Sequence, residues 1–144
     1  MGFLGHSNKQ AFKADKKDSY LELDSKRLLL RLHVGALQKV IVPVAKLRGY
    51  RLLQDDEVIL EAQEHKQGYS KDNLLPVITQ FSQPDDGSEW PTELYHLDLD
   101  VLTSDETYRL RLIDTRTPIK SMTYSDAVLD AERAILALDG LLDE

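Results

Sequence analysis

A single alignment satisfies both faces of a hairpin between Tyr95 and Leu112, and it limits the fold more than any other stretch of the chain. Tyr95, Leu97, Leu99 and Val101 fall on one side of an alternating strand, opposite His96, Asp98 and Asp100. The return strand carries Tyr108, Leu110 and Leu112 inward and Arg109 and Arg111 outward, with Thr103, Ser104, Asp105 and Glu106 in the turn. Pairing Leu102 with Thr107 sets Asp100 opposite Arg109 and Asp98 opposite Arg111. The same pairing sets Leu99 opposite Leu110 and Leu97 opposite Leu112. A slip by one residue would move every aspartate among leucines, so both faces pin the same register. The chain is therefore built from antiparallel β-structure, with the Asp/Arg face expected away from the core.

The same period of two recurs upstream. Leu21 and Leu23 alternate with Tyr20, Glu22 and Asp24. After an Asp24-Ser25-Lys26 turn, Leu28, Leu30, Leu32 and Val34 alternate with Arg27, Leu29, Arg31 and His33. Lys39–Val42 resumes an apolar strand that Pro43 stops, because proline cannot donate to a central ladder. Gly49–Gln54 and Glu57–Ala62 flank Asp55-Asp56, a polar pair that tolerates turn geometry. The stretch from 63 to 91 has no clear period, and only Leu74–Phe81 within it reads as a further strand. The pattern then changes to that of a helix at about Tyr124–Leu142. There Val128, Ala131, Ile135, Leu138 and Leu142 form one apolar stripe. Thr123 or Ser125 is its candidate cap, and Gly140 its candidate early stop.

At 144 residues the chain suits one domain with a core of its own. It has no cysteine, which excludes a disulfide framework, thiol chemistry and cysteine-held zinc. A net charge of −7 argues against broad nucleic-acid binding. No apolar run approaches the length of a membrane-crossing helix. At the N-terminal end the lysines Lys9, Lys13, Lys16 and Lys17 follow Phe3-Leu4 instead of preceding an apolar stretch, so an export signal is not expected. The expected location is the cytoplasm. Residues 1–18 read as a flexible, solvated basic arm, and 19–144 as the single domain.

Two segments carry a family resemblance. One is Val40-Ile41-Val42-Pro43, followed by Leu47 and by Tyr50 to Glu57; the other is the last hairpin with Tyr124 and the helix to Leu142. Together they resemble bacterial pleckstrin-homology-like domains of unknown function. The resemblance implies a mainly β, α+β fold: an antiparallel pleckstrin-homology-like sheet or barrel, strongly bent or split into two packed sheets, with a C-terminal helix plugging one end. It implies no chemistry of its own, since such folds host many functions. Pleckstrin-homology domains that bind phosphoinositides use basic residues around their first hairpin, which makes Lys26, Arg27 and Arg31, with His33, an anion candidate. An ordinary solvated face, partly paired with Glu22, is the competing and favoured account.

Other constellations are weighed the same way. Asp98-Leu99-Asp100 after an apolar strand is similar to the nucleophile motif of haloacid-dehalogenase-type phosphatases, but Leu102 stands where that motif has threonine or valine. His96, Asp98 and Asp100 share a strand face at a spacing suited to a divalent metal. Eight acidic residues without a lysine or arginine lie between Pro84 and Glu106. Arg109 and Arg111 oppose a cation there, so neither a metal nor another cofactor is expected. No nucleophile elbow, phosphate loop or zinc-protease helix occurs. Tyr69, Phe81 and Trp90 lie in the irregular 63–91 segment and form a candidate partner loop, because loops on a rigid sheet commonly carry binding.

The function expected from these residues is a non-enzymatic binding or scaffolding module with a protein partner. Nucleic acid and stable membrane insertion are not expected, and a homo-oligomer is compatible with the sequence. Two alternatives stand beside it. One is a small metal-dependent or hydrolytic enzyme using the acidic 84–106 region; the other is a membrane-surface adaptor.

Overall fold

A computed structural model describes residues 12–17, 20–35, 38–63 and 93–142. The expected partner loop with Tyr69, Phe81 and Trp90, and the expected strand at Leu74–Phe81, lie outside the described residues. The described chain is mainly antiparallel strand with one C-terminal helix. The strands are β1 (Lys16–Lys17), β2 (Leu21–Asp24), β3 (Leu29–His33), β4 (Lys39–Pro43), β5 (Leu47–Gln54) and β6 (Glu57–Gln63). They continue with β7 (Glu93–Leu94), β8 (Leu97–Thr103), β9 (Thr107–Ile113) and β10 (Thr117–Pro118), before helix α1 (Met122–Leu142). Among the described residues these form a four-stranded sheet β1-β2-β3-β4, a four-stranded sheet β6-β5-β8-β9 and a short β10-β7 pair. They do not close into a barrel.

The two sheets and α1 share one core. Leu21, Leu23, Leu30 and Leu32 come from the first sheet, Tyr50, Leu52, Leu97, Leu99 and Leu110 from the second, and Val128, Ala131, Ile135 and Leu138 from the helix. The helix stripe of the sequence is buried throughout, joined by Tyr124, Ala127, Ala134 and Asp139. A 3₁₀ turn at Val44–Lys46 carries the chain from one sheet to the other. Lys46 holds this corner to the β8–β9 turn, its carbonyl accepting from the Ser104 amide and its ammonium reaching Asp105.

The registers follow side-chain chemistry. In the last hairpin Asp98 pairs with Arg111, Leu99 with Leu110, Asp100 with Arg109 and Leu102 with Thr107, as expected. Leu97 instead pairs with Ile113, because a bulge between Leu97 and Asp98 shifts the strand by one residue. Ile113 is then buried, while Leu112 is only half-buried and Tyr95 lies exposed before β8. In the first hairpin Leu21 faces Leu32 and Leu23 faces Leu30. Leu28 is not part of that stripe: it sits in the turn with φ 56° and is exposed. Pro43 belongs to β4, an edge strand, where its missing N–H leaves no central ladder bond unmade. Asp55 and Asp56 both take positive φ, 50° and 68°, which suits the tight turn between right-twisted strands.

The ends of α1 differ from the expected ones. The Ser121 hydroxyl, not Thr123 or Ser125, caps the helix by accepting the Tyr124 amide. Gly140 does not stop it, since the helix runs on to Leu142. The described part of the basic leader is also structured. The Asp15 amide donates to the Leu23 carbonyl, and Lys16 and Lys17 pair with Leu23 and Glu22.

Candidate functional site: clamped carboxylates, a seam cleft and a groove beside the helix

Asp98 and Asp100 are buried rather than facing solvent. Period two settles only that they lie opposite the leucines; it does not settle whether that second face is covered. Both oxygens of Asp98 accept from Arg111, at 2.8 and 3.2 Å. Both oxygens of Asp100 accept from Arg109 at the same two distances. The third nitrogen of Arg109, Nη1, stands 3.6 Å from Asp98, so the pairs form one network. Two-pronged guanidinium–carboxylate contacts are directional and occupy the lone pairs that a metal would need. Among the described residues no group of three His, Asp or Glu is placed to hold a metal ion.

A second network covers β2. Glu22 accepts two bonds from Arg31, both 2.9 Å, and its Oε2 lies 2.7 Å from His33 Nε2. The Arg31 bonds, aided by His33, outweigh burial and hold the Glu22 carboxyl down to about 2. With Glu22 ionised, His33 Nε2 carries the proton and donates. Phe12 of the leader lies beneath Arg31, ring centroid 4.4 Å from the guanidinium carbon. The Glu22–Arg31 pair is legible in the sequence through the hairpin register; His33 joins because its side chain lies on the same face two residues on.

The anion candidates do not converge. Lys26 and Arg27 line a pocket of about 230 Å³ at the first turn with Lys13, Ala14, Asp15 and Asp24. Arg31 belongs to the Glu22 network instead. Arg27 donates to Asp24 Oδ2, which also accepts from the Lys13 amide. Burial pushes the Asp24 carboxyl up, but the Lys13 and Arg27 hydrogen bonds outweigh it and leave it below its ordinary value. Two carboxylates thus face the cations that an incoming anion would need.

Two surface features were not anticipated from the sequence. At the seam between the sheets, Tyr20, His33, Val34, Gly35, Arg111, Asp114 and Asp130 line a cleft of about 690 Å³. Burial, then Asp130 and Asp114, raise the Tyr20 phenol above its ordinary value. The cleft gathers both signs of charge, and its residues come from four separate stretches of chain, which no local pattern announces. Beside it, Lys16, Lys17, Leu21, Leu23, Arg133, Leu136 and Ala137 line a groove of about 240 Å³ between the β1–β2 edge and α1. Leu136 lies half-exposed on a helix face that also carries Leu129 and Met122, 44% and 80% exposed. The spacing of seven residues was the available signal for that stripe.

No helix of the described residues is long and apolar enough to cross a membrane. No family model, curated protein or solved structure matches the chain.

Proposed function

We propose that this chain is a non-enzymatic binding or scaffolding module that works in the cytoplasm on a protein partner. The observation that carries the reading is the state of the buried sheet carboxylates. Glu22, Asp24, Asp98 and Asp100 are each already held by a guanidinium. General acid–base and metal chemistry need titratable groups with a free lone pair or proton inside a water-restricted site. Here the acidic groups best shielded from water are committed to internal ion pairs, which leaves surface recognition as the use of the fold. The pleckstrin-homology-like resemblance is compatible with such a role.

Two measurements on the intact chain test this. Calorimetric titration with Mg²⁺, Mn²⁺ and Ca²⁺ is expected to show no stoichiometric heat. A panel of ester, phosphoester and peptide substrates is expected to show no turnover that disappears in Asp98→Asn. Stoichiometric metal binding lost in that variant, or turnover dependent on Asp98, would replace this reading by the hydrolytic one.

A further inference from the structure

Resting on that reading, we infer that the groove between β1 and α1 is a docking site for an acidic, amphipathic segment of a partner protein: an apolar side chain flanked by Asp or Glu. The floor is apolar, made by Leu21 and Leu23 of β2 with Ala137 and Leu136 of α1. Its rim is cationic, made by Lys16, Lys17 and Arg133. Neither lysine ammonium makes a hydrogen bond or ion pair among the described residues, Lys16 acting on the neighbouring Asp15 only through its charge, and Arg133 has only a 3.6 Å contact to Asp130. The cations therefore stand beside apolar surface with little of their charge used internally.

The site is continuous with a second exposed feature. Leu129 and Met122 lie one and two heptads before Leu136, so the three project from nearly the same side of α1. Half of Leu136 reaches solvent although polar positions are plentiful on that face. At about 240 Å³ the groove takes one or two apolar side chains, not a globular surface. A segment that inserts such a side chain brings its neighbours against Lys16, Lys17 and Arg133, where carboxylates are favoured and ammonium groups repelled.

Charge also selects a narrow segment over an anionic bilayer. The chain carries −7 overall, and Asp126, Asp130 and Glu132 lie along the same helix. A flat anionic surface would confront these acids together with the rim, whereas a single peptide strand or helix meets the rim alone.

The test uses the full chain against a displayed library of random 16-residue peptides, followed by amide-shift mapping of the enriched peptides on isotope-labelled protein. Enriched sequences are expected to place Leu, Ile or Phe beside Asp or Glu and to shift the amides of Lys16, Lys17, Leu136 and Ala137. Binding should weaken at least tenfold in Lys16→Glu/Lys17→Glu and in Leu136→Asp. These are surface changes, and their unchanged melting curves would show that folding is intact. Binding should also weaken as salt is raised. Three results overturn the inference: peptides without acidic residues, shifts confined to another face, or peptide binding that is indifferent to these variants. Binding to phosphatidylserine vesicles but to no peptide also overturns it, in favour of the membrane surface. Peptides that map elsewhere leave the binding-module reading standing, whereas Asp98-dependent turnover removes that reading whatever the peptides do.

Discussion

The Tyr50 hydroxyl donates to Asp139 Oδ1 across 2.7 Å, joining β5 to α1 over 89 residues of chain in a buried setting. The tyrosine lies in a strand that reads as apolar, and the aspartate lies on a helix face that reads as core. About four turns earlier along α1, the Tyr124 hydroxyl donates to the Gln54 side-chain oxygen at 3.1 Å, and burial pushes the Tyr124 phenol up to about 12. These two bonds tie both ends of α1 to β5, while its apolar stripe packs on the core and leaves the Leu129 and Leu136 face outward.

Tyr50→Phe is expected to destabilise the protein by about 2 kcal/mol, because a buried carboxylate loses a hydrogen bond while packing is retained. Chemical denaturation of the two proteins measures it, with the slope unchanged. A loss below a few tenths would mean that water replaces the hydroxyl.

Glu22 predicts the acid side of the stability profile. Its folded value of about 2 lies below its ordinary 4.5, so the folded state binds the proton less readily than the unfolded chain. The stabilisation is complete above about 4.5 and is lost as pH falls from there toward 2. Melting temperatures measured from pH 6 to pH 2 should fall through this window in the native chain. Glu22→Gln should start lower and follow a flatter course.

Asp98 and Arg111 should couple more strongly than an exposed pair. Asp98 is fully buried while the Arg111 side chain is 40% exposed, so solvent screens the pair in part. A double-mutant cycle with Asp98→Asn and Arg111→Gln is expected to give about 1–2 kcal/mol, above the usual exposed pair but discounted for the exposed guanidinium. The coupling should weaken modestly, without vanishing, between low and high salt. A value near zero that vanishes in salt would mean that the pair behaves as surface charge.

Gly140→Ala should stabilise the fold by up to about 1 kcal/mol, since glycine inside a helix carries an entropic cost. The residue is exposed and an added methyl would meet nothing within 4 Å. Thermal denaturation checks it, and destabilisation would show that the last helical turn is not formed.

At the β5–β6 turn, Asp56→Gly should stabilise by a few tenths to about 1 kcal/mol, because φ of 68° suits glycine better than aspartate. Asp55→Gly should not gain in the same way. The Asp55 carboxylate accepts the Tyr95 and His96 amides, both at 2.8 Å, and so ties this turn to the entry of β8. Comparing the two melting temperatures separates backbone strain from the lost tie.

Alternation of apolar and polar residues determined most of the strands by itself. In the Asp98–Arg111 and Glu22–Arg31 pairs, opposite charges and leucines agree on one register, and a local pattern is enough to specify it. The stripe of α1 is local in the same sense, since helical geometry alone places Val128, Ala131, Ile135, Leu138 and Leu142 together. What alternation cannot state is which face is covered, because covering is supplied by residues far away in the chain. Only the tertiary structure decided that Asp98 is buried, that a bulge passes the inward position from Leu112 to Ile113, and that the leader's Asp15, Lys16 and Lys17 complete a sheet. The same holds for the surface sites. The groove joins Lys16 and Lys17 to Arg133 and Leu136 across more than a hundred residues, and such a juxtaposition exists only once both elements have packed on the shared leucine core.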